Sequence, residues 1–167
     1  MSSKTKGRAA SPASFDNELA ELEALSEMRK LGSSFDPEQI EHLRRALAHR
    51  NNFIVSKAAR LVGDAELAAL LPELLTAYAR FFHDPVKTDP KCWAKEATAK
   101  ALVKLEHREK DTYLRGLRHI QMEPSFGPPE DTAGDVRATC AHALVDCKGI
   151  SDAELLVFLN HHVMISG

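Results

Sequence analysis

The sequence is poor in aromatic residues and cysteine, and it has no long apolar run. Aromatics make up only 6% of the chain, with a single tryptophan, so stacked rings cannot supply most of a core. No stretch of about 18 consecutive apolar residues occurs, which removes a transmembrane helix. The N-terminal segment carries Lys4, Lys6 and Arg8 with no apolar block behind them, unlike a secretory signal. Three cysteines, an odd number at unrelated spacings, argue against a disulfide framework and point to a reducing, cytoplasmic setting. The formal net charge of −2 gives no global pull toward nucleic acid or an acidic membrane. A Gly-rich phosphate loop, a Gly-x-Ser-x-Gly elbow, a His-Glu-x-x-His pair and a Cys-x-x-Cys pair are also absent. Catalysis therefore has no specific motif behind it, and no cofactor is called for.

What the sequence does have is alanine, leucine and helical spacing. At 167 residues, with 44% hydrophobic and 28% charged residues, it has the balance of one folded domain or a short repeat array. Residues 1–13 read as a polar tail, 14–33 as an N-terminal capping helix and 34–167 as a helical array. Leu19, Leu22, Leu25 and Met28 mark the first helix, which Gly32 stops. Asp36 and Pro37 open the next, with Ile40, Leu43 and Leu47 on its apolar stripe. A helix over about 53–62 ends at Gly63-Asp64. Leu67, Leu70, Leu71, Leu74, Tyr78 and Phe81 then share one face, and Pro72 within them requires a kink or a fresh start. Asp84-Pro85 and Asp89-Pro90 bound a loop, followed by helices over about 92–105 and around 113–120. The stretch Glu123 to Gly134 is rich in proline and glycine and reads as a loop. Helices over 135–147 and from Ser151 or Asp152 complete an all-α chain.

Three helices share a pattern in which Leu61, Leu102 and Leu144 correspond, as do Ala58, Ala99 and Ala141. The interval of about 40 residues matches two-helix repeat units. In the third copy, Asp135-Val136-Arg137 is followed by Ala141-His142-Ala143-Leu144. These residues resemble the second-helix signature of the HEAT superfamily, in particular the bacterial HEAT-like repeats related to phycobilisome-lyase-type proteins. Lys95 stands in the arginine column of the middle copy, and Ile54 departs from it in the first. The loop Asp84 to Pro90 with Trp93 after it is also similar to that of a bacterial group of HEAT proteins. The resemblance implies an α-solenoid of three to four stacked hairpins, forming a right-handed superhelix, with its last repeat incomplete. It implies a binding surface, and does not identify the ligand.

At 100° per residue, the column two places before each matched leucine points away from the core. It holds Ala59, Lys100 and His142, and a second outward column holds Asn52, Trp93 and Asp135. With Glu96, Thr139 and Lys104 beside them, these give a candidate binding face: Trp93, Glu96, Lys100, Lys104, Asp135, Thr139 and His142. Trp93 is either a recognition anchor or a gap filler beside the loop of Lys87 and Lys91. Lys87, Lys91, Lys95, Lys100 and Lys104 form a basic run, which is either a solvated face or a seat for an acidic peptide or phosphates. Glu18, Glu21, Glu23 and Glu27 read as a solubilising face. Cys140 and Cys147 lie about 10 Å apart along a helix, too far for a disulfide. His161 and His162 are adjacent, so they diverge on a helix and do not share an ion.

The function expected is a non-catalytic scaffold that binds a protein or peptide on the concave face of the solenoid, the face that second helices line in HEAT arrays. The alternatives are a subunit of a chromophore lyase or other enzyme complex, and nucleic-acid binding, against which the net charge and the single tryptophan count. The apolar C-terminal edge is a candidate surface for self-association.

Overall fold

Helical spacing in the sequence becomes eight α-helices between Pro12 and Val145 in a computed structural model. The structure describes residues 12–147, 149–151, 153, 154, 156 and 157. The helices are α1 Pro12–Lys30, α2 Pro37–Leu47, α3 Asn52–Asp64, α4 Leu71–Arg80, α5 Pro85–Thr88, α6 Trp93–Lys104, α7 Lys110–Leu117 and α8 Gly134–Val145. Residues 1–11, most of the expected tail, lie outside the described residues, as do 158–167, which include His161 and His162 and part of the expected self-association edge; Leu156 and Val157 of that edge are exposed. No described helix is long and apolar enough to cross a membrane.

The local chemistry explains the helix ends. Gly32 adopts φ +83° and closes α1, with the Ser33 N–H donating to the Met28 carbonyl at 3.1 Å. Asp36 and Gln39 form a reciprocal capping box at the start of α2, with bonds of 2.8 and 3.0 Å. Asn51 caps α3, its side-chain oxygen accepting from the Phe53 and Ile54 N–H groups. Pro72 marks a fresh start: a 3-10 turn over Ala68–Leu70 gives way to α4, whose first turn needs no donor from proline. The Arg80 guanidinium donates to the carbonyls of Leu47, Ala48 and His49, satisfying the end of α2 from α4. Ser151 and Glu154 exchange capping-box bonds, and residues 153, 154, 156 and 157 are helical.

The helices pair as α2 with α3, α4 with α6, and α7 with α8, while α3 packs on α6 and α6 on α8. Leu61, Leu102 and Leu144 are buried between them, with Ala58 and Ala99 fully enclosed. Small residues set the closeness of the α3–α6 crossing. A Cβ on Gly63 would lie 2.9 Å from Ala101 Cα, so only glycine fits there without moving a backbone. Two stretches depart from the loops expected on sequence: the one between Asp84 and Pro90 carries the single-turn helix α5, Pro85–Thr88, and the second carries strands. The 122–131 stretch closes as a small antiparallel hairpin, β1 Met122–Glu123 against β2 Glu130–Asp131, with Met122 opposite Asp131.

Candidate functional site

An open groove of about 500 Å³ runs over the C-terminal halves of α3 and α6 and onto α8. Its buried floor is Gly63, Ala97 and Ala101, exposed Val103 adds an apolar edge, and its polar rim is Arg60, Asp64, Lys100, Lys104, Thr139 and His142. Between α3 and α6 the floor is built from glycine and alanine, which lets the two helices approach closely. Four of the residues singled out from sequence therefore converge: Lys100, Lys104, Thr139 and His142. Helical spacing brings this about, since 100 and 104 on α6, and 139 and 142 on α8, repeat every three to four residues.

The rim carries Arg60, Lys100 and Lys104 against one carboxylate, Asp64. Lys104 pairs with Asp64 across the α3–α6 crossing, and Lys100 pairs with Glu96 one turn back on α6. Arg60 and His142 have no ion-pair partner among the described residues. Glu96 thus acts on the groove by holding Lys100, without lining it.

Trp93 and Asp135 are exposed but do not line the groove. Trp93 begins α6, is 39% exposed, and rests on Phe53 with ring centroids 5.7 Å apart. The Lys91 ammonium lies 5.9 Å from the Trp93 ring, a cation–π distance. Trp93 therefore covers Phe53 beside the loop and still presents one side outward. From Trp93 through Ala97 and Lys100 to Lys104, one stripe of α6 leads into the groove.

Two residues placed on the outward face by their column are buried. Ala59 is enclosed because α3 has α1, α2 and α6 packed around it. Asn52 lies beneath the loop, where its amide donates to Asp89 Oδ1 at 2.9 Å and to the Pro90 carbonyl at 3.0 Å. The part of α3 that reaches the groove is instead Arg60, Gly63 and Asp64, one turn further along.

The basic run also divides. Lys95 is fully buried and forms an ion pair with the equally buried Asp89 at 3.0 Å. It sits seven residues before Leu102, two helical turns back on the same inward face. Asp89 also accepts from the Ala94 and Lys95 N–H groups, so it caps α6. Lys95 Nζ donates further to the Phe81 carbonyl at 3.3 Å. The hairpin seals this pair: the Gln121 amide donates to the Asp89 carbonyl at 2.9 Å and to Glu123 Oε1 at 2.6 Å. Burial alone would raise the Glu123 carboxyl, but hydrogen bonds from Thr132, Gln121 and the Lys91 N–H outweigh it and hold it below its ordinary range. The loop carries backbone strain, since Asp84, Lys91 and Cys92 all adopt φ between +48° and +59°.

The cysteines are free and buried. Burial pushes the Cys92 and Cys140 thiols up to about 11, which keeps them protonated and poorly nucleophilic. Cys140 contacts the Tyr78 hydroxyl at 3.3 Å within the core. One group of metal-ligating residues occurs among the described residues, at Glu18, Glu21 and His42, where α1 meets α2 and away from the groove.

No family model, no curated protein and no solved structure matches this chain.

Proposed function

We propose that the chain is a non-catalytic binding module, a short right-handed α-solenoid of HEAT-like hairpins. In this reading the groove across α3, α6 and α8 receives an acidic, partly apolar peptide segment of a protein partner. The observation that carries it is the groove itself: a small-residue apolar floor edged by three cations and a histidine against one carboxylate. Apolar floor area supplies affinity, while the rim charges select the sign of the ligand and its register. The solenoid part is supported by the succession α3, α6, α8 and by two matched junctions, Asp89–Lys95 and Asp131–Arg137. Both join a carboxylate ahead of a helix to a cation six residues on, within the first turns of α6 and of α8.

Peptide-display selection on the wild-type chain tests this, run beside Lys100→Glu/His142→Glu. The reading expects enrichment of acidic peptides with at least one apolar anchor, lost on the variant. Equal enrichment on both proteins, or enrichment of basic peptides, would refute it.

A further inference from the structure

The α1–α2 junction holds a group of side chains that the groove does not use. His42 on α2 is 8% exposed and faces two carboxylates of α1. Its Nδ1 lies 3.2 Å from Glu21 Oε2, and its Nε2 lies 3.6 Å from Glu18 Oε1. Nε2 is buried and has no hydrogen-bond partner. A buried polar atom left without a partner is uncommon and calls for an explanation. Glu18 and Glu21 are three residues apart, so α1 presents both from one face. One donor atom from each of the three side chains lies within 4.8 Å of the others.

We propose that Glu18, Glu21 and His42 form a zinc site that clamps α1 onto α2. The set is one imidazole nitrogen and two carboxylates, a combination that zinc accepts with bonds of about 2.0–2.2 Å. Tetrahedral bonds of that length put neighbouring donors about 3.3 Å apart. The Nε2–Oε1 separation of 3.6 Å needs only a small contraction to meet it. Glu21 lies against Nδ1 in the metal-free arrangement, so its largely exposed side chain swings toward the Nε2 side to reach the ion, and water completes the coordination. The imidazole selects against calcium and magnesium, which favour all-oxygen shells. Bound zinc gives Nε2 the partner that the metal-free arrangement lacks, and it ties α1 to the body of the fold by ligand bonds.

The test is zinc chloride titrated into the full chain, free of any affinity tag, by calorimetry and thermal unfolding. Glu18→Gln/Glu21→Gln and His42→Gln are run in parallel, with far-UV circular dichroism to confirm their helices. The glutamine pair keeps every histidine and cysteine, so zinc held elsewhere would survive in it. The proposal expects one equivalent of zinc on wild type, a raised Tm, and affinity lower by more than roughly 100-fold in both variants. Loss of even an outer-shell partner typically costs 10- to 100-fold, and these variants remove ligands. Cobalt in place of zinc should show d–d bands with no thiolate charge-transfer band. Zinc affinity unchanged in the glutamine pair, a thiolate band, or no binding by wild type would overturn the site and leave an ion pair between two helices.

Discussion

The junction ahead of α6 and the one at the start of α8 use the same device with different surroundings. Asp89 and Lys95 are fully buried, whereas the Asp131 and Arg137 side chains keep 25% and 17% of their exposure. Each aspartate accepts two backbone N–H groups and one cation: Asp89 from Ala94 and Lys95, Asp131 from Gln121 and Ala133. The difference lies in the cover. Asn52, Gln121 and the hairpin close over the first pair. The second stands at the edge, with Arg137 Nη1 also donating to the His119 carbonyl at 2.9 Å. Identical spacing therefore does not fix an energetic role. A buried pair becomes an obligation once water is gone, because removing one member strands the other. A half-open pair can fall back on solvent.

The largest expected effect is at the sealed junction. Lys95→Ala leaves Asp89 as a buried carboxylate without its cation and should cost about 3–5 kcal/mol in urea unfolding. Next comes Gln121→Ala, which opens the cover over Asp89 and takes a partner from Glu123. Its expected cost is about 1–3 kcal/mol. Arg137→Ala at the open junction should cost about 1 kcal/mol by the same measurement. Were Arg137→Ala to match Lys95→Ala, the contrast between the junctions would collapse.

The smallest effect is in pH. Burial would raise the Asp131 carboxyl, but the Gln121 and Ala133 N–H groups and Arg137 hold it below its usual value near 3.8. A carboxyl lowered in the fold contributes stability above its unfolded pKa and loses it as pH falls through the folded value. Stability should therefore decline as pH falls below about 4, and Asp131→Asn should flatten that limb of the stability curve. His119 adds a shallower slope at higher pH. Burial lowers its pKa from 6.5, so the unfolded chain takes up the proton first and stability declines as pH drops below about 6.5. His119→Gln should reduce that slope in a pH series of melting temperatures, leaving the part due to His107, which burial also lowers.

Most helices are legible in the sequence because their signals are local. The Asp36-Pro37 start, the Gly32 stop and the Pro72 restart depend on a few neighbouring residues. The groove is legible where a helix shows its outer face, as Lys100, Lys104, Thr139 and His142 do. On α3 the same column misleads, since what is outward on α6 and α8 is covered there by α1 and by the 89–92 loop. Lys95 falls in a run of charged neighbours, but its own phase, in line with Leu102, places it inward. The acidic face of α1 conceals a division of labour. Glu23 pairs with Lys57, Glu27 with Lys30, and Glu18 and Glu21 flank His42, a meeting across two helices that no spacing encodes.

The central claim is that an acidic peptide is held across α3, α6 and α8, and a nitrogen–proton correlation spectrum titrated with a display-selected acidic peptide tests it most directly. The account predicts shifts concentrated at Arg60–Asp64, Ala97–Lys104 and Thr139–His142, weakening as salt is raised. Shifts confined to α2, α4 or α7, or binding indifferent to salt, would contradict it.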